Sequence, residues 1–282
     1  MPMVYEKNAF STPFLHGYKL LKIPLVNASG DSAWPELFPA NRIEQLRQTV
    51  GARHFASQMM LESAPIERAR LDPGGLHFYD DEFDTRTACI GTFRITGMSL
   101  YWDPSTGRKK RDASVCVLLY RDDASHIVFI HNVLYLTVSD DEPFPLSRQC
   151  DMVLKFMSEH NLQRISIESN GIGGGLPDIM RDCATRHGMN VHVHRVQNHT
   201  AKSDRILNAI EPFLSTGRLY AHTRVRASPL MAEMLGWSPI GVSGIHDDGL
   251  DAVSGAIAQT PIPVHGTAHT IKTFSANTNF TV

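Results

Sequence analysis

The stretch that most restricts the fold is Ala113 to Tyr120, where Val115, Cys116, Val117, Leu118 and Leu119 follow one another without a polar interruption. A strand with one wet face alternates, so this unbroken run predicts a strand covered on both faces. Ile95 to Trp102 predicts a preceding strand that runs into Asp103. Pro104, Ser105 and Gly107 then supply turn chemistry, proline by presetting φ and glycine by tolerating φ > 0. Together they make a β-hairpin whose tip carries Arg108, Lys109, Lys110 and Arg111. Asp103 is the odd member, a carboxylate ending an apolar strand beside a basic turn. An Asp-Pro pair commonly does no more than cap a turn. The position also suits a residue that holds a cation against a polyanion, which requires other acids to reach it.

Beyond the hairpin, His126 to Val138 predicts a third strand and completes an antiparallel meander. The pattern then alternates. Helices are expected at Leu146–His160, Leu176–His187, Ser203–Leu214, Pro229–Leu235 and Asp248–Ala258, and strands at Arg164–Glu168, Val191–Val196 and Arg218–His222. A meander followed by helix–strand–helix–strand with parallel crossovers is a mixed α/β sheet flanked by helices. The first 80 or so residues predict a strand at Tyr18–Val26, a helix from Arg42 ended by Gly51, a short helix at Arg53–Leu61 and a loop over Ser63–Asp81. They hold too few apolar faces to close a core. From Pro261 onward Pro, Thr, Ser, Asn and Gly dominate, and a disordered tail is expected.

Composition removes several classes. The 282 residues carry a formal charge of −2, so any nucleic acid must be held by local patches. The beginning MPMVYEKNAF lacks the pattern of a signal peptide, and no apolar run is long enough to span a membrane. The four cysteines lack CxxC spacing, which argues for a reduced protein without a cysteine zinc site. His192, His194 and His199 are the densest of fourteen histidines, but an HVH strand puts two imidazoles on one face without a third ligand at zinc spacing. GIGGG at Gly171–Gly175 is not spaced as GxGxxG, so a dinucleotide site is set aside.

Acids stand where an α/β sheet places ligands. Asp103 ends the first strand and Glu168 the fourth. Asp247, Asp248 and Asp251 open the last helix, with Asp248 and Asp251 three apart on one face. Taken singly, Glu168 caps a turn and Asp248 favours a helix N-terminus. Jointly they point to a divalent-cation site.

Four segments in order, WDPSTGRKKRDASVCVLLY, SIESNGIGGG, NHTAKSDRILNAIEPFLSTGRLY and HDDGLDAVSGAI, resemble the nuclease domain of phage terminase large subunits, RNase H-like endonucleases that cut viral DNA during packaging. The resemblance implies an RNase H-like nuclease domain over residues 85–260. Residues 1–84 resemble the segment that joins the packaging ATPase to the nuclease, and 261–282 form the tail. It implies Asp103 and Glu168 as catalytic metal ligands, with the third acid at Asp248 or Asp251. Asp112 matches an additional acid, and Asp247 joins the metal-binding set. Lys202 and Arg205 match a basic pair, which with Arg108, Lys109, Lys110 and Arg111 is expected on DNA phosphates. The implied reaction is phosphodiester hydrolysis with two Mg²⁺ or Mn²⁺ ions. The implied partners are double-stranded DNA, a packaging ATPase, a small terminase subunit and the portal, in the host cytoplasm of a phage or prophage. The chain departs from the family in lacking a GxxxxGK[ST] P-loop, so it is expected to be a truncated or separately encoded nuclease without ATPase activity. The rivals are an RNase H-like junction resolvase and a non-catalytic docking module of the packaging motor.

Overall fold

The computed structural model describes residues 22–27, 29–50, 55–61, 71–108, 112–239 and 246–264. The elements that matter for the site are strands β1 (Leu76–Tyr79), β2 (Phe83–Asp84), β3 (Cys89–Ile90), β4 (Phe93–Arg94), β5 (Gly97–Asp103), β6 (Ser114–Asp122), β7 (Ile127–Leu136), β8 (Arg164–Glu168), β9 (His192–Val196), β10 (Leu219–His222) and β11 (Ile262–Pro263). The helices are α1 (Ala40–Val50), α2 (Pro145–Glu159), α3 (Leu176–Arg186), α4 (Lys202–Ser215), α5 (Leu230–Gly236) and α6 (Asp248–Ala258).

The main sheet runs β1-β10-β7-β6-β5-β8-β9, with β11 also paired to β5. β5, β6 and β7 are the expected antiparallel meander. β8 joins β5 in parallel, with Tyr101 opposite Ser166 and Trp102 opposite Ile167, and β9 joins β8 in parallel. This is the expected mixed α/β sheet, an antiparallel meander extended by parallel strands and flanked by helices.

The apolar run lies at its centre for the reason its sequence suggests. Val115, Cys116, Val117, Leu118 and Leu119 are each 0 % exposed. Val115, Val117 and Leu119 pack with Ile206, Leu207 and Ile210 of α4 and Leu250, Val253 and Ala256 of α6. Cys116 and Leu118 face the other way, against Val153, Leu154 and Met157 of α2 and Met180 and Cys183 of α3. One strand thus anchors both layers. The hairpin turns at Gly107, whose φ of +64° is the left-handed conformation glycine adopts without a Cβ clash.

Four segments differ from the sequence expectation or add to it. Residues 76–79, inside the expected loop, form β1 and pair in parallel with β10, so the sheet begins ahead of residue 85. Residues 83–94 form a small antiparallel sheet, β2-β3-β4. Ile262 and Pro263, inside the expected tail, pair with Met98 and Gly97 of β5, while residues 265–282 lie outside the described residues. The second short helix is a single wide turn at Phe55–Met59. Residues 18–21 of the expected strand at Tyr18–Val26 lie outside the described residues, and in the rest Val26 contributes only a bridge to Ser32. Among the described residues no helix is long and apolar enough to cross a membrane.

Candidate active site

Two strand ends start the site. Because β5 and β8 are parallel neighbours in register through Trp102 and Ile167, their last residues, Asp103 and Glu168, emerge side by side at the carboxyl end of the sheet. Helix α6 supplies the next two acids. It lies close on β5, since a Cβ at Gly255 would collide with the Tyr101 ring. Its first turn presents Asp248 and Asp251, both buried. The backbone N–H of Ala113 donates to Asp248 Oδ2 at 2.7 Å, tying the helix start to the residue that precedes β6.

The electrostatics record the convergence. Asp103 is pushed up to about 8, first by burial and then by the Glu168 and Asp251 carboxylates, with Lys202 opposing and Asp248 adding. Burial also raises Asp251 above the ordinary carboxylate range, although Arg205 opposes it. Clustered carboxylates of this kind resist full ionisation until a cation offsets them.

Two basic side chains of α4 provide part of that charge. Lys202 Nζ stands 2.6 Å from Asp247, 3.1 Å from Asp248 and 3.9 Å from Asp251. Burial alone would lower the Lys202 pKa, but these carboxylates carry it above its usual value. Arg205, one turn further on, donates through Nη2 to both oxygens of Asp251 at 2.6 Å. Both expected DNA contacts therefore lie on the acids.

The remaining expected residues are Asp112 and those of the hairpin tip. Asp112 is exposed, and one of its carboxylate oxygens lies within 4.8 Å of ligand atoms of both His246 and Asp248. An imidazole and two carboxylates at that spacing are a donor set able to hold a divalent ion. Arg108 is partly buried at the hairpin tip. Lys109, Lys110 and Arg111 lie outside the described residues.

Several groups were not singled out from the sequence. The Tyr101 hydroxyl donates to Glu168 Oε2 at 2.7 Å, and the Asn198 side-chain amide donates to the same oxygen at 2.9 Å. Asn198 is itself held by Asn170, whose amide donates to the Asn198 carbonyl at 2.7 Å. Glu233 of α5 accepts from the Tyr135 hydroxyl at 2.9 Å and from the Leu250 N–H at 3.1 Å. Burial pushes Glu233 up to about 7, with these two donors opposing and Asp248 adding. Glu233 thus satisfies a free N–H in the first turn of α6, the turn that carries the acids. His246 is readable as the first letter of HDDGLDA, and its position beside two acids was the missing information.

Comparison with solved structures returns nuclease domains of terminases, the family whose motifs the sequence resembles. The phage P22 large terminase nuclease domain is 12 % identical with a TM-score of 0.43, covering 69 % of this chain and 91 % of that one. The human cytomegalovirus terminase nuclease domain, soaked with Mn and bound to an inhibitor, is 14 % identical with a TM-score of 0.41, covering 56 % and 80 %. The nuclease domain of the large terminase of bacteriophage SPP1, with bound Mn, is 15 % identical with a TM-score of 0.41, covering 64 % and 94 %. No family model matches the chain, and the search of curated proteins finds no match.

Proposed function

We propose that this chain is a metal-dependent endonuclease that cleaves double-stranded viral DNA during genome packaging. The observation that carries the reading is the placement of Asp103 and Glu168 at adjacent parallel strand ends, where the Glu168, Asp251 and Asp248 carboxylates all act on Asp103. Hard carboxylate oxygens suit Mg²⁺ or Mn²⁺ and leave positions for water and phosphate. Asp103, Glu168, Asp248 and Asp251 would hold two such ions, with Asp112, Asp247 and His246 at the margin. When bound, the ions would lower the pKa of a water for attack at phosphorus and offset charge on the leaving 3′ oxygen.

The chain's own residues do the positioning. Tyr101 and Asn198 fix one oxygen of Glu168, leaving the other free to coordinate. Glu233 holds the α6 start in place. Lys202 and Arg205 balance the acids, and their charge lies close to where a scissile phosphate would sit. Arg108 and its neighbours Lys109, Lys110 and Arg111 would grip the backbone beside the cut, which positions DNA without reading its sequence. On this reading the sheet and its helices, from β1 to β11, carry the nuclease, and the residues ahead of β1 connect it to a packaging ATPase, with the small subunit and portal as further partners in the host cytoplasm.

The test is competition between substrates. With Mn²⁺ present, linear duplex and supercoiled plasmid are each offered together with a four-way junction. Cleavage of both duplex forms without preference for the junction is expected. Cutting confined to the junction would replace the packaging reading with a resolvase. No cutting and no calorimetric uptake of Mn²⁺ would leave a docking module.

A further inference from the structure

A notch of about 570 Å³ opens in the main sheet, on the part that α4 and α6 leave uncovered. Its origin is topological. On one edge of β5, β11 pairs at Gly97 and Met98 while β8 pairs at Tyr101 and Trp102, so Ser99 and Leu100 are left between them. The start of β8 and the edge strand β9 form the other wall.

The lining has two characters. Leu100 and Ile165 border it at only 3 % and 2 % exposure, since they pack in the core with α2 and α3, while Arg164, His192 and His194 stand exposed along the rim. None of the lining residues is acidic. Cationic and imidazole groups at the rim, a lining without acids and a volume within the usual range of ligand sites match one chemical class, a nucleotide. Imidazole and guanidinium planes can stack on the base, and the guanidinium pairs with phosphate.

The notch is also in line with the acids. Ser166 lines it, and Glu168 lies two residues further along the same face of β8. At about 3.3 Å per residue, Arg164 stands about 13 Å from Glu168, a distance that a nucleic acid strand covers in a few nucleotides. We propose that the notch between β5, β8 and β9 seats one splayed nucleotide, base and phosphate, of the strand engaged at the acidic cluster. The proposal rests on the nuclease reading and adds to it a track along β8 and β9.

Binding of a fluorescein-labelled oligothymidylate in EDTA tests it apart from cleavage. Arg164→Glu and His194→Glu should each weaken binding about tenfold and reduce the salt slope by about one. Thr260→Trp, which fills the notch from an exposed position, should do the same without changing charge. An oligonucleotide carrying 5-iodouracil should photo-cross-link to a peptide containing His192–Val196. Unchanged affinity in all three variants with melting curves like wild type, or cross-links only elsewhere, would overturn the notch. Glu168→Ala should bind the oligonucleotide normally while losing cleavage. A wild type that binds through the notch but never cuts DNA would remove the nuclease reading and leave the nucleotide site standing.

Discussion

The side-chain amide of Asn198 donates to Glu168 Oε2 at 2.9 Å, across the gap between the loop after β9 and the end of β8. With the Tyr101 hydroxyl it fixes the orientation of a carboxylate that α4 and α6 do not touch through any hydrogen bond found among the described residues. Groups that orient a metal ligand typically contribute about 10–100-fold in affinity or activity. Asn198→Ala should therefore lower Mn²⁺ affinity and DNA cleavage within that range while leaving the melting temperature close to wild type. Calorimetry and a plasmid assay on the same preparation would check both.

Gly255 is where α6 meets the sheet most closely. A Cβ there would strike Tyr101, which is 1 % exposed and bonded to Glu168. Overpacking of this kind costs about 1–3 kcal/mol. Gly255→Ala should lower stability by that amount in urea unfolding, and it should reduce cleavage more than Asn198→Ala because Tyr101 and α6 shift together.

Arg205→Ala leaves Asp251, whose side chain is 7 % exposed, without its bidentate partner. Removing one member of a buried pair costs about 3–5 kcal/mol. A bound cation restores charge balance, so Mn²⁺ should raise the melting temperature of Arg205→Ala more than that of wild type. An equal rise in both would separate Asp251 from the metal site.

The pH dependence has a definite sign. In the metal-free fold Asp103 is raised from 3.8 to about 8 by burial and by its neighbouring carboxylates. Between those values the folded protein holds a proton that the unfolded chain has released. The stability that this proton supports is complete below the unfolded pKa and is lost as pH rises through about 8. Glu233, raised to about 7, acts in the same direction. Urea unfolding in EDTA should show stability falling from about pH 5 to about pH 8, with a shallower fall in Asp103→Asn. Saturating Mn²⁺ should reduce the fall, adding about 2.7 kcal/mol at a hundredfold excess over its Kd.

Much of this arrangement is legible in the chain because strong local patterns govern it. The apolar run of β6 requires cover on both faces, RISIE sets β8 and its terminal acid, and HDDGLDA opens a helix. Tertiary partners decide the rest. Leu76–Tyr79 is a four-residue strand whose only described sheet partner is β10, far along the chain, so flanking Pro, Gly and Asp residues outweigh its strand character. Ile262 and Pro263 look like tail residues until β5 offers an edge. Tyr101 is indistinguishable from a core aromatic in sequence, and its hydroxyl matters only because β8 lies beside it. Glu233 carries no local signal, since its role is to cap a helix that begins fifteen residues later. Lys202 and Arg205 read equally well as phosphate contacts and as solvated charges, while their partners are the acids of α6.

The measurement closest to the central claim is cleavage of supercoiled plasmid by wild type, Asp103→Ala and Glu168→Ala, each with Mn²⁺ and with EDTA. The account predicts nicking and linearisation by wild type in Mn²⁺ alone, and none by either folded variant. Cleavage that persists in EDTA, or in both variants, would contradict a metal site built on Asp103 and Glu168.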